Sequence, residues 1–151
     1  MRLSKGQKFG ADRGGLRPDD CGDGHCGIDL GRAEGTPIVA AGAGRITRIN
    51  RNESIGGGIY VGIAHYNGTL ETRYMHMSKI ADGLKLGDSV EKGQYIGDVG
   101  NTGKHSTGAH LHFEIFENMG EGKRRYIDPE PYLARWREKT PENLEKGENI
   151  Q

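Results

Sequence analysis

The sequence predicts an all-β domain of the sandwich or barrel type, and three observations carry that expectation. Short runs that alternate apolar and polar residues recur along the chain, turn signals separate them closely, and no long helical period competes. Glycine occurs 26 times in 151 residues, spread along the chain, against about 11 at average usage. The length suits one hydrophobic core rather than two.

The elements follow in order. After a glycine-rich N-terminal loop, residues 36–39 are β-prone and stop at Ala40-Ala41-Gly42. Gly44-Arg45-Ile46-Thr47-Arg48-Ile49 alternates isoleucine with polar side chains. Ile59-Tyr60-Val61-Gly62-Ile63-Ala64-His65 ends at Asn67-Gly68, a dipeptide of tight hairpins, which makes residues 69–77 its antiparallel partner. Residues 87–94 form a polar reversal into Tyr95-Ile96-Gly97, and the last strand is His110-Leu111-His112-Phe113-Glu114, followed by Tyr126-Ile127-Asp128-Pro129. Only Tyr132-Leu133-Ala134-Arg135-Trp136 has the pattern of a short helix. Residues 1–134 therefore read as a single domain, and 135–151 as a charged tail with little to bury.

Composition excludes several classes of function. Lys+Arg and Asp+Glu are equal at 21 each, so no global field points to nucleic acid or acidic lipid. No apolar run is long enough for a membrane span. The stretch Met1 to Lys8 is basic and polar with no apolar segment behind it, so no secretory signal is expected. Cys21 and Cys26 have four residues between them. Two ordinary thiols are the leading expectation and a short-loop disulfide the next, since the CxxC spacing and second pair of a zinc site are missing.

The polar residues are more specific. On a strand, His110, His112 and Glu114 point one way and Leu111, Phe113 and Ile115 the other. A rise of about 3.3 Å per residue sets the two histidines roughly 6.6 Å apart on one face. Both could hold a metal, or one could hold it while the other does chemistry. His25 and Asp29 are four apart, a spacing that keeps an imidazole and a carboxylate on one face of a strand or helix. Nitrogen and carboxylate donors of this kind suit zinc, with a fourth position left open for water. His76 shares strand parity with Tyr74 and Ser78. His65 reads as packing at a strand end and His105 as a loop residue at a site's rim, neither a ligand. Glu114 reads as a strand carboxylate paired with a nearby cation.

These motifs carry a resemblance. Gly24-His25-Cys26-Gly27-Ile28-Asp29-Leu30 resembles the HxGxD motif of the lysostaphin/LytM-type zinc metallopeptidases, and Gly35-Thr36-Pro37-Ile38-Val39-Ala40-Ala41 their GTPVxA segment. Tyr74-Met75-His76 resembles their YxH, Gly93-Gln94-Tyr95-Ile96-Gly97 their GQxIG turn, and residues 106–114 their STGxHLHFE, with Asp128-Pro129 as the closing DP. The motifs occur in family order from about residue 9 to 133. The resemblance implies antiparallel sheets forming an open groove, of the duplicated-hybrid-motif type, and one zinc ion held by His25, Asp29 and His112. His76 and His110 would be the catalytic pair, with Tyr74 a donor behind the site. Cys26 falls where the motif leaves the residue free, and on an extended run it would not compete for the metal.

The implied activity is hydrolysis of amide bonds in peptidoglycan stem peptides or crosslinks, outside the cytoplasm, by a phage-delivered protein or an excised domain acting as a monomer. Two other classes compete with this reading. A non-catalytic wall-binding or regulatory module on the same fold is disfavoured by the complete ligand set. A carrier domain modified at a hairpin-tip lysine such as Lys92 leaves Asp29 without a role.

Overall fold

The computed structural model describes Gln7, Phe9, residues 26–103, Ser106 and residues 108–131. Among these, nine strands follow one another: β1 (Ile28–Gly31), β2 (Pro37–Val39), β3 (Gly44–Asn50), β4 (Ile59–His65), β5 (Leu70–Ile80), β6 (Ser89–Val90), β7 (Tyr95–Val99), β8 (His110–Gly120) and β9 (Lys123–Ile127). All pairings are antiparallel. The main path runs β1-β8-β5-β4-β3-β6, with β9 on β8 and with β7 joining β2 to β5. Three strands exceed the expectation, one of them the two-residue β6 inside the polar reversal. β1 contains one short alternation, and β9 opens on Lys123-Arg124-Arg125, whose charges suit an edge strand better than they signal one.

The core forms where the apolar sides of β3, β4, β5, β7 and β8 meet. Ile46, Val61, Ile63, Met77, Ile96 and Phe113 are all buried there. The turn between β4 and β5 begins one residue before the expected Asn67-Gly68 pair, with Tyr66, Asn67 and Gly68 at φ 50°, 58° and 86°. His65 packs at the strand end as expected, and it is also fully bonded. Its Nδ1–H donates to the Ala43 carbonyl (2.7 Å), and its Nε2 accepts from the Thr72 hydroxyl (2.8 Å).

The feature that positions the site is a change of partner along β5. Residues 70–75 pair with β8, and from Met77 the strand pairs with β7 instead. The residue between is His76, with φ 63°. A non-glycine residue in the left-handed region costs roughly 1–3 kcal/mol and persists only where its surroundings hold it. Here the His76 N–H donates to the Gly57 carbonyl (2.8 Å).

Cys26 is buried and disulfide-bonded, against the expectation of thiols. The chain's other cysteine, Cys21, lies outside the described residues. The expected helix at 132–136 and the charged tail also lie outside them. No helix among the described residues is long and apolar enough to cross a membrane.

Candidate metal centre

Strand β8 carries His110 and His112 on the face opposite Phe113 and Ile115, as alternation requires. β1 lies beside it with Asp29 directly across from His112 and Gly31 across from His110. β1 comes this close because residue 27 has no side chain. A Cβ there would sit 2.3 Å from the Phe113 carbonyl oxygen and 3.0 Å from the Glu114 Cβ. The result is an Asp29 Oδ1 that is 3.0 Å from His112 Nδ1 and 3.6 Å from His110 Nε2.

His76 arrives by a different route. Strict alternation puts it on the side of Tyr74, yet Tyr74 pairs with Phe113 and belongs to the core, while Met75 pairs with His112. The left-handed pivot breaks the alternation, so Tyr74 and His76 part company. The His76 ring centroid lies 4.7 Å from that of His110 and 6.1 Å from that of His112. The Tyr74 hydroxyl accepts from the Ala41 N–H (3.0 Å) and hydrogen-bonds the Thr72 hydroxyl (2.9 Å) rather than a site histidine. Burial pushes this phenol up to about 12. Its contribution is to the core beneath the site.

Of the residues expected from the sequence, Asp29, His76, His110 and His112 thus converge. His25 and His105 lie outside the described residues. Among those described, no third His, Cys, Asp or Glu completes a metal-binding group.

Glu114 has a more specific task than its sequence reading assigned. Its Oε1 lies 2.7 Å from His112 Nε2, so the imidazole is held at both nitrogens, by Asp29 on one side and Glu114 on the other. Arg73, directly across from Glu114 on β5, is taken up by Glu71 (2.6 Å) and lies over the Phe116 ring. The signal was available: Glu114 is two residues beyond His112 on a strand and shares its face.

The electrostatics separate the histidines. Burial alone would lower the His112 pKa, but its hydrogen bonds to Asp29 and Glu114, with their negative charges, outweigh that and raise it to about 9. Without a metal, His112 is therefore a cation clamped between two carboxylates. His76 is the opposite case: burial, with the neighbouring His110 and His112, lowers it to about 4, against the raising effect of the Thr102 carbonyl. That carbonyl lies 2.6 Å from His76 Nδ1 and can only accept, so Nδ1 carries the hydrogen and Nε2 the lone pair. The Gly108 carbonyl fixes His110 in the same sense (2.7 Å).

The Asp29–His112 pair is of the donor types that a divalent ion takes. A carboxylate oxygen and an imidazole nitrogen are aimed at each other, and the imidazole's other nitrogen is tied to a second carboxylate, the usual arrangement behind a ligating histidine. A metal bound at His112 would have to displace its proton. Binding at pH 7.5 is accordingly expected to release about one proton per ion from His112, beyond any that metal-bound water gives up, and apparent affinity to fall about tenfold per pH unit below pH 9. Calorimetry in buffers of different ionisation enthalpy measures this. Proton release near zero would place His112 neutral in the metal-free protein. The same shift makes His112 stabilise the metal-free fold fully below pH 6.5, with that contribution lost as pH rises through about 9.

Comparison with known proteins bears on the family and the fold. The profile of Peptidase family M23 matches residues 23–129. Glycyl-glycine endopeptidase ALE-1 of Staphylococcus capitis is 38% identical over 112 residues, 74% of this chain and 30% of that protein. Peptidoglycan DD-endopeptidase ShyA of Vibrio cholerae is 45% identical over 91 residues, 60% of this chain and 20% of ShyA. The chain thus spans well under half the length of these relatives. Among solved structures, the catalytic domain of the antimicrobial peptidase lysostaphin from Staphylococcus simulans superposes with a TM-score of 0.65 at 36% identity, covering 85% of this chain and 92% of that domain.

Proposed function

The chain belongs to peptidase family M23, and from that premise we propose that it is a zinc-dependent endopeptidase that hydrolyses amide bonds in bacterial peptidoglycan, outside the cytoplasm. The observation that carries the proposal is the pairing of Asp29 with His112 beside two further histidines whose tautomers are set by backbone carbonyls. Relatives named for glycyl-glycine and for DD-endopeptidase activity support peptidoglycan as the substrate class.

Asp29 and His112 would hold the ion, with His25 as the third ligand that the HxGxD motif supplies. Bound there, zinc lowers the pKa of water towards about 7 and polarises a carbonyl. Glu114 keeps the Nε2–H of His112 engaged, which leaves Nδ1 as the donor atom. His76, buried and neutral, presents an Nε2 lone pair that can orient the attacking water and take its proton. His110, half-buried at the mouth of the site, can exchange protons with solvent and hand one to the leaving amine.

The test is release of new amino termini from purified peptidoglycan by the zinc-loaded protein, with loss of release on chelation. A protein that holds one zinc ion and binds walls, yet frees no amino termini from glycine-bridged or directly crosslinked peptidoglycan, would instead be a wall-binding module.

A further inference from the structure

We propose that Thr102 is the positioning residue for His76, acting through its own carbonyl; the catalytic consequence rests on the reading above, while the geometric claim does not. Thr102 lies in the loop between β7 and β8 and makes three contacts that converge on the β5 pivot. Its hydroxyl donates to the Met77 carbonyl (2.6 Å) and accepts from the Ile59 N–H (3.1 Å), while its carbonyl receives the His76 Nδ1–H (2.6 Å). One residue thereby ties the strand after His76, the start of β4 and the His76 ring itself.

The neighbouring loop closes on the same residue. Gly58 has φ 63°, and a Cβ on it would lie 2.4 Å from the Thr102 hydroxyl and 2.6 Å from its carbonyl oxygen. Gly103 has φ 98°, and its Cβ would lie 2.5 Å from the Gly56 carbonyl. These glycines let the loop at 56–58 pack against Thr102, and the Gly57 carbonyl from that loop accepts the His76 N–H. Asn50 Nδ2 donates to the Gly58 carbonyl (2.6 Å) and anchors the far side.

His76 is therefore gripped at its backbone by the 56–58 loop and at its ring by Thr102. The grip explains how a histidine persists in the left-handed conformation where β5 changes partner. It also sets the tautomer, since a carbonyl at Nδ1 leaves the lone pair at Nε2. Removing the hydroxyl while keeping the shape of the side chain releases the Thr102 carbonyl from its alignment without touching Asp29, His110 or His112.

Two measurements test this. In the wild-type protein without metal, nitrogen chemical shifts of the His76 ring are expected to show hydrogen on Nδ1 at neutral pH. Hydrogen on Nε2 would overturn the proposal whether or not the protein is a peptidase. Thr102→Val is expected to retain wild-type zinc stoichiometry and to lower kcat about 100-fold with KM little changed, the effect of misplacing a reacting group by about 1 Å. Thr102→Ser, which restores the hydroxyl, is expected to recover most of that loss. A folded Thr102→Val with unchanged kcat overturns the proposal. So does a Thr102→Ser no more active than Thr102→Val, because a packing role alone would not distinguish the hydroxyl. If Thr102→Val does not fold, the ring shifts of Thr102→Ser decide: a His76 tautomer unlike that of wild type counts against the proposal.

Discussion

His112→Ala is expected to lower metal affinity by more than about 100-fold and to abolish turnover, because under the proposed function it removes a ligand and not merely a group behind one. His110→Ala is expected to keep the metal and still lower turnover by about 100- to 10,000-fold, the range for loss of a general acid or base. On spacing alone the two histidines are equivalent. The structure breaks the equivalence: His112 is buried, faces Asp29 with Nδ1 at 3.0 Å and is held from behind by Glu114. His110 is more exposed, stands 3.6 Å from the same oxygen and is held by the Gly108 carbonyl instead. Metal content by elemental analysis, alongside release of amino termini, separates the two roles. Equal loss of metal in both variants would sink this division of labour.

Gly27→Ala is expected to damage the site without altering any ligand. The added methyl would meet the Phe113 carbonyl oxygen at 2.3 Å, a distance at which the backbone itself must shift. β1 has to withdraw from β8, and Asp29 goes with it, since Asp29 and His112 are register partners. Overpacking of this kind costs about 1–3 kcal/mol of stability. Metal affinity is expected to fall together with Tm, and thermal unfolding followed with and without zinc reads both. An alanine variant with wild-type affinity would show that β1 has slack the structure does not display.

Much of the fold was legible. Ile59–His65 alternates cleanly, its turn is announced by Asn67-Gly68, and the observed β4 has those bounds. β1 and β9 were harder, because an edge strand buries one side at most and is free to carry charge or glycine. Convergence of Asp29 with His112 could be anticipated from parity and motif order. The place of His76 could not be derived from parity, because the alternation that predicts strand faces fails where a strand changes partner. Tyr74 shows the same failure from the other side, drawn into the core with its hydroxyl bonded to Ala41 and Thr72.

What the sequence determined by itself is therefore local and periodic: an antiparallel all-β chain, two imidazoles and a carboxylate on one face of its last long strand, and a set of motifs in family order. Such properties depend on residues within a few positions of one another. Tertiary structure alone decided that Gly27 must lack a side chain for Asp29 to reach His112, and that His76 turns into the site at the one residue where β5 exchanges β8 for β7. Each of these is a meeting of segments far apart in the chain, and no period along the sequence encodes the distance between them.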